Sequence, residues 1–181
     1  MYKNISLIGG LLLAFLVFCS LMPTNISQSN TLEERTRCNY IVDVKTDTIT
    51  GIVKLMAKEK IKLLDKDGKM LFNMMMIRHD KSITLHFKAL KPVCISQNTQ
   101  VIFEFTDDSK SKVKSSNMEN CKGILAVNMG GIFGDSGVVK KLSSSTIRNI
   151  KIVTKKESYQ IDLDIDQKER ILNTLDCFIY S

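Results

Sequence analysis

The sequence SITLHFKA, residues Ser82–Ala89, decides the fold class of this chain of 181 residues. Apolar and polar side chains alternate along it, so that Ile83, Leu85 and Phe87 would share one face of an extended chain. The residues between them, among them His86, would face the other way. A period of two predicts a β-strand with one buried face and one face in water, which is typical of antiparallel sheets.

The same alternation recurs in VIFEF (Val101–Phe105) and in YQIDLDI (Tyr159–Ile165). The inward positions predicted for the second segment are Tyr159, Ile161, Leu163 and Ile165. Short polar segments that are typical of turns separate the strands, at DKDGK (65–69), RHDKS (78–82), TDDSK (106–110) and TKKES (154–158). Short strands with turns between them predict a mainly β fold, an antiparallel β-sandwich or barrel of about eight to nine strands.

The end of the chain changes to a helical period. In DQKERILNTLDCFIY, which begins at Asp166, apolar residues recur at spacings of three and four. Asp166 followed by Glu169 matches a D-x-x-E capping box, so Asp166 is the predicted N-cap. Leu172, Leu175 and Ile179 are predicted to be buried. The fold should therefore end in a C-terminal amphipathic helix packed on the sheet.

The N-terminal segment has the layout of a secretory signal peptide. An apolar run follows Lys3, and Ser27-Gln28-Ser29 offers small residues for cleavage before Asn30. We therefore expect a signal peptide over residues 1–29 and export of the rest of the chain. An uncleaved membrane anchor and lipid modification of Cys19 are the two alternatives.

Cleavage at this point would leave a single β-rich domain over residues 30–181, a length that suits one hydrophobic core. The full chain has a formal net charge of +7. Its lysine-rich stretch SKSKVKSS (Ser109–Ser116) has few aromatic residues on which bases could stack, so nucleic-acid binding is not expected. Of the two kinds of anionic partner, we expect weak attraction to a lipid or polysaccharide surface rather than nucleic-acid binding.

Four cysteines follow the N-terminal segment, at Cys38, Cys94, Cys121 and Cys177. An even number in an exported chain permits two disulfides with three pairings, and the sequence leaves the pairing open. Buried free thiols are the alternative, since free cysteine packs as a small hydrophobe. No C-x-x-C motif occurs and neither histidine is close to a cysteine in sequence, so a zinc site is not expected.

The order of several segments resembles a group of uncharacterised exported proteins common in Bacteroidetes-type bacteria. The segments are DKDGKMLFNM, PVCISQNTQVIFEFTDDSK, MENCKG, IRNIKI and YQIDLDIDQKERILNTLDCF. The resemblance covers about residues 60–178 and rests on a rhythm of strands and cysteines rather than on a catalytic signature. It implies an exported β-rich domain of bacterial origin with no known activity, and therefore no functional residues to transfer.

One tetrapeptide, GDSG at Gly134–Gly137, resembles the segment around the nucleophilic serine of chymotrypsin-like proteases. In that comparison Ser136 is the candidate nucleophile and the Gly134 N–H is a candidate oxyanion-hole donor. The protease pattern continues with glycine and proline, whereas this chain continues with Val138 and Val139. The glycines of this region favour a flexible loop.

A catalytic triad would also need a base and an acid. His79 or His86 is the candidate base, and Asp107 or Asp108 is the candidate acid. His86 alternates onto an outward strand face and His79 falls in a charged turn, so neither has the setting of a catalytic histidine. A two-barrel protease also needs more strands than this chain supplies, and the sequence favours a protein that is not an enzyme.

Alternating acids at Asp162, Asp164 and Asp166 suggest a calcium site, but the glycine and the final acid of an EF-hand loop are missing. The TKKES turn instead predicts a hairpin that places Lys151 opposite Asp162, where opposite charges attract. Asp166 is already predicted as the helix cap. No calcium site is therefore expected.

Two further segments have the composition of a metal site. DKDG (Asp65–Gly68) has calcium-type ligands, but a tight turn explains it better. Met74, Met75 and Met76 are copper-type ligands, but alternation sends Met75 to the face opposite the other two, so core filling explains them better. The sequence thus predicts no catalytic, cofactor-binding or metal-binding residue.

Three functions remain. The favoured one is a non-enzymatic exported module that binds an unknown envelope or extracellular partner and meets a membrane only if the N-terminal segment is retained. A small-ligand carrier is the alternative, although Ile, Leu and Phe at the inward positions leave no polar group to orient a ligand. A hydrolase using Ser136 is the third.

Overall fold

A computed structural model describes residues 37–39, 41–131 and 136–180 of the chain. The predicted signal peptide, Cys19 and Gly134 lie outside these residues. The described part contains ten strands and two helices with both ends defined. The strands are Val42–Thr46 (β1), Val53–Ala57 (β2), Ile61–Leu64 (β3), Met70–His79 (β4), Ser82–Ala89 (β5), Gln100–Phe105 (β6), Lys110–Lys114 (β7), Ile124–Gly130 (β8), Ile147–Val153 (β9) and Ser158–Asp162 (β10). The helices are Ser136–Ser144 (α1) and Ile165–Tyr180 (α2).

The first sheet has the antiparallel order β1-β2-β4-β5-β8, with β3 also paired to β4. Strands β2 and β3 share one edge of β4, because Met56 lies opposite Ile77 while Ile61 lies opposite Met74. The two are successive parts of one long segment that pairs with β4, interrupted at residues 58–60. This interruption raises the strand number above the eight or nine predicted.

The second sheet has the antiparallel order β10-β9-β6-β7. The inner faces of the two sheets form one core, and the inward residues predicted for β5 and β6 are all buried. Phe72 of the first sheet meets Tyr159 of the second edge to face, with ring centroids 5.3 Å apart. The described strands form two separate sheets, so the architecture is the predicted β-sandwich and not a barrel.

Helix α2 packs one stripe onto this core, as predicted. Ile171, Leu175 and Phe178 are buried, at the spacing of four and three that keeps side chains on one helix face. Leu175 was predicted correctly. The predictions for Leu172 and Ile179 were wrong, because each lies about 100° further round the helix, where the first is half-buried and the second is exposed.

The N-cap of α2 is Asp164 and not the predicted Asp166. Asp164 Oδ1 accepts the N–H of Gln167 at 2.7 Å, while Gln167 Oε1 accepts the N–H of Asp164 at 2.9 Å. This reciprocal pair is a capping box that starts two residues earlier than expected. Asp166 instead binds Arg170, one turn further on, at 2.9 Å.

The earlier helix start also corrects strand β10. Ile165 is the first helical residue and is exposed, whereas the alternation predicted it to point inward. The pairing of β9 with β10 is confirmed, but Lys151 lies opposite Gln160 and Asp162 lies opposite Asn149. The predicted register was wrong by two residues because the turn between the strands is shorter than assumed.

Polar contacts hold both ends of α2. The buried Gln167 donates from Nε2 to the carbonyl of Lys62 in β3 at 2.6 Å. At the other end, the Arg78 guanidinium donates to the carbonyl of Phe178. A cation from β4 therefore occupies the negative end of a helix whose own last turn has no basic residue.

Helix α1 was not predicted, since the sequence indicated a glycine loop as far as Gly137. The helix begins at Ser136 and buries Val138 and Leu142. Its Lys141 lies over the Phe105 ring, with Nζ 5.3 Å from the centroid. A short apolar stripe thus docks α1 on the sandwich despite the glycines that precede it.

Two disulfides join the four cysteines, Cys38 to Cys177 and Cys94 to Cys121. The first spans 139 residues of sequence and ties the segment before β1 to helix α2. The second spans 27 residues and closes the region between β5 and β8. Both bonds fit an oxidising compartment.

Candidate interaction site on the first hairpin

The residues of the suggested protease triad lie on separate elements. Ser136 is the exposed first residue of α1, His79 ends β4, and His86 lies in the middle of β5. Within the described part of the chain, no hydrogen bond joins the Ser136 hydroxyl to either imidazole. In the part of the chain that the structure describes, neither histidine is therefore hydrogen-bonded to the serine as a triad base would be.

The candidate acids are engaged elsewhere. Asp107 Oδ2 lies 2.6 Å from Lys141 Nζ, and Asp108 Oδ1 lies 2.7 Å from Arg148. The hydrogen bond from Lys141, with a smaller contribution from Ser109, lowers the pKa of Asp107 to about 2. Both carboxylates fix the turn between β6 and β7 against neighbouring elements, and neither orients a histidine.

His86 faces outward as its alternation predicts, but it is half-buried rather than fully in water. It lies between Met75 of β4 and Ala126 of β8 in the strand register. Burial lowers the pKa of this imidazole, because a charged ring would lose hydration there. His86 is consequently a neutral packing residue of the outer sheet face near pH 7.

Two of the three candidate calcium ligands have structural partners. Asp164 caps α2 and Asp166 binds Arg170, while Asp162 stands opposite Asn149. In residues 37–39, 41–131 and 136–180, no group of three or more His, Cys, Asp or Glu side chains is arranged to hold a metal ion.

The methionine run is split between the faces of β4. Met74 and Met76 are buried in the core, whereas Met75 is half-buried on the outer face. Among the described residues, the core that they line contains a void of about 10 Å³ between the sheets and the helices. A void of this size holds one water molecule at most. It cannot hold the ligand of an interior carrier.

A larger cleft of about 250 Å³ opens between the β2–β3 interruption and helix α2. Its charged walls are already paired, since Arg170 binds Glu59 at 2.5 Å and Asp166 at 2.9 Å. Lys58 lies 3.7 Å from Asp43 and donates to the carbonyl of Asn39. The charged side chains of the cleft therefore have their partners within the protein.

The lysines of β7 lie on the outer face of the second sheet. Lys110, Lys112 and Lys114 are exposed, and Lys110 Nζ binds Glu104 at 2.6 Å. The outward positions of the adjoining described strands carry no aromatic ring. This face has the composition of a solvated surface, and the absence of nucleic-acid binding stays a prediction.

The turn between β1 and β2 is well fixed by its own hydrogen bonds. Asp47 Oδ1 accepts the N–H groups of Thr50 and Ile49, each at 3.0 Å, and these bonds lower the pKa of Asp47. The Asp47 carbonyl accepts the N–H of Gly51 at 2.8 Å. Gly51 takes φ +69°, a left-handed conformation that glycine adopts without strain.

This ordered turn carries apolar side chains into solvent. The exposed fractions are 64% for Val44, 94% for Ile49, 37% for Ile52 and 47% for Val53. The root of the same hairpin is buried at Val42 and Ala57. The hairpin is thus anchored at one end and carries four exposed β-branched side chains over the rest of its length, which we call the hairpin tip (Val44, Ile49, Ile52 and Val53).

The turn geometry does not require an apolar tip. In the β3–β4 turn, Asp65 Oδ1 accepts two N–H groups and Gly68 takes φ +75°, as Asp47 and Gly51 do in the first turn. That second turn carries Lys66 and the charged group of Asp67 at its tip. Exposed apolar groups on a fixed scaffold indicate an interaction surface.

Strand β1 also forms an open sheet edge. Among the described strands it pairs only with β2, and all its residues after Val42 are exposed. An open edge presents alternate backbone N–H and C=O groups to an added strand. Sequence reasoning missed this site, although the signal was present as β-branched residues on both sides of a glycine turn in VKTDTITGIVK (44–54).

No protein family, no curated protein and no solved structure matches the chain. The resemblance to exported β-rich proteins accordingly stays a prediction. None of the helices in the described ranges is both long and apolar enough to cross a membrane.

Proposed function

We propose that this protein is an exported, non-enzymatic interaction module that binds a partner at the cell envelope or outside the cell through the hairpin tip and the open edge of β1. The observation that carries this proposal is Ile49, which an internally hydrogen-bonded turn holds almost fully in water. Exposing four apolar residues on one ordered hairpin brings the folded chain no stability, so a contact with another molecule accounts for them best.

Export is supported by two independent features. Lys3 and the apolar run after it have the layout of a signal peptide, and the two disulfides fit an oxidising compartment. We expect N-terminal sequencing of the protein from its own host to begin near Asn30. A soluble cytosolic product that keeps Met1 would contradict export.

The interaction surface is tested by photo-crosslinking in living cells. A photoreactive amino acid replaces Ile49, where its side chain would be in solvent, and the exported fraction is analysed after illumination. We expect a discrete adduct whose mass identifies the partner. The matched control is the same amino acid at Lys66, the exposed tip of the β3–β4 turn, which should give no adduct.

A second version of this experiment adds Val44→Lys to the variant that carries the photoreactive amino acid in place of Ile49. A charge in the middle of the contact should abolish the adduct while leaving the fold intact, as circular dichroism would show. If Ile49 gives no adduct, or the same adducts as Lys66, the hairpin tip is not an interaction surface and the proposal fails.

A further inference from the structure

The residues of β1 define which partner fits its open edge. The strand VDVKT places Val42, Val44 and Thr46 on the inner side, and Asp43 and Lys45 on the outer side. A partner strand that continues the sheet must match this pattern, because directly opposite residues share a face.

We propose that the partner is a second copy of this chain, which pairs β1 to β1 antiparallel about a two-fold axis at Val44. This inference rests on the proposed interaction function and names its partner. In this register Val44 meets Val44, and Asp43 of each copy stands opposite Lys45 of the other. Two opposite-charge pairs thus flank one apolar pair in a continuous sheet.

The other two-fold registers are unfavourable. A two-fold axis perpendicular to the sheet must pass through one residue, and only three choices pair at least three residues of β1. An axis at Asp43 would bring two carboxylates together, and an axis at Lys45 would bring two ammonium groups together. Like charges directly opposite each other destabilise a sheet, so the sequence of β1 selects the axis at Val44.

The charges of the single chain favour the same arrangement. Within its own sheet Lys45 lies opposite Lys54, which leaves two like charges side by side. Asp43 lies 3.7 Å from Lys58, which is longer than a hydrogen bond. An incoming Asp43 would give Lys45 the opposite charge that its own sheet lacks. Edge strands carry lysine to block pairing with other chains, and here a complementary acid two residues away permits one pairing.

The proposed register is tested by cysteine crosslinking of protein purified from cells that express the full chain. Opposite Cα atoms in an antiparallel pair are about 4.5–5.5 Å apart, within the range of a disulfide. Val44→Cys should therefore form a disulfide-linked dimer under mild oxidation. Mass spectrometry of the digested dimer should show two copies of the peptide that contains residue 44, joined through the introduced cysteine of each.

The matched control is Thr46→Cys, on the same strand and the same face. In the proposed register the two copies of residue 46 are four residues out of step, about 13 Å apart, and should not crosslink. Equal crosslinking of the two variants, or none at residue 44, would overturn the register.

A charge swap tests the pairs themselves by sedimentation equilibrium. The wild-type chain should dimerise with concentration, and Asp43→Lys or Lys45→Asp alone should weaken the dimer by roughly tenfold or more. The double variant Asp43→Lys with Lys45→Asp should recover most of the wild-type affinity. Circular dichroism and thermal melts verify that each variant is folded.

A wild-type monomer at every concentration, or a double variant no better than the single ones, would overturn the inference. These outcomes are distinct from a failure of the proposed function. If the adduct from Ile49 has a mass other than that of two chains, the second copy is wrong while the interaction module stands. If Ile49 gives no adduct at all, the interaction module itself is wrong.

Discussion

One disulfide joins helix α2 to the segment before the β1–β2 hairpin, yet the helix and the hairpin use their apolar residues in opposite ways. The helix buries Ile171, Leu175 and Phe178 in the core of the sandwich. The hairpin buries its root and leaves the hairpin tip in water. Apolar residues that stabilise the fold are thus concentrated in one region, and apolar residues available to another molecule in the other.

The largest expected loss of stability follows removal of the disulfide between the two regions. Replacing both Cys38 and Cys177 by serine should lower the free energy of unfolding by about 5 kcal/mol, since the bond closes a loop of nearly the whole domain. Replacing Cys94 and Cys121 in the same way should cost about 3.5 kcal/mol, because that loop is shorter. Urea unfolding measures both. Equal losses would show that loop length does not determine how much each disulfide stabilises the fold.

Helix docking should give the next largest effect. Leu175→Ala should lower the free energy of unfolding by about 2–5 kcal/mol, because it removes buried methyl groups and leaves a cavity in the core. The control is Leu172→Ala on the half-buried rim of the same helix, which should cost clearly less. If the two variants unfold at the same urea concentration, α2 does not dock through the stripe described.

Capping should have a smaller effect that separates two neighbouring aspartates. Asp164→Ala should cost about 0.5–2 kcal/mol, because the first turn of α2 loses its N-cap. Asp166→Ala should cost about 0.3–1 kcal/mol, through the exposed pair with Arg170 and the helix dipole. Thermal melts of the two variants measure the difference, and a greater loss for Asp166→Ala would reverse the assignment of the cap.

The sequence predicted the repeating features and missed those that depend on where an element begins. Alternation identified the buried faces of β5 and β6, because burial follows directly from a period of two. The cap of α2 was ambiguous, since D164-x-x-Q167 and D166-x-x-E169 are both capping boxes. The structure decides between them, because β10 ends at Asp162 and the helix begins at Ile165, so that Asp164 occupies the N-cap position.

Helix α1 and the hairpin tip were missed for a related reason. A helix of nine residues that follows several glycines is too short to show a recognisable helical period in the sequence. The residues Val44 and Val53 alternate as buried strand residues do, but in the packed sheets they are exposed at 64% and 47%. That is a property of the packed sheets and not of local sequence.

The smallest effect on stability is expected at the hairpin tip. Ile49→Lys should change the free energy of unfolding by less than about 0.5 kcal/mol, because the side chain is already in water. Leu55→Ala, a buried position in the same hairpin, should cost about 2–5 kcal/mol. Urea unfolding compares the two. A large loss for Ile49→Lys would mean that the tip stabilises its own chain and needs no partner to explain it.

The disulfide between Cys38 and Cys177 also determines how the domain responds to mechanical force. The two Cα atoms are 5.4 Å apart, although 139 positions of sequence separate them. Tension applied to the chain on the N-terminal side of Cys38 and the C-terminal side of Cys177 passes directly through the covalent sulfur bridge. The β-strands carry no load, so the sandwich does not extend under tension until the bridge is reduced.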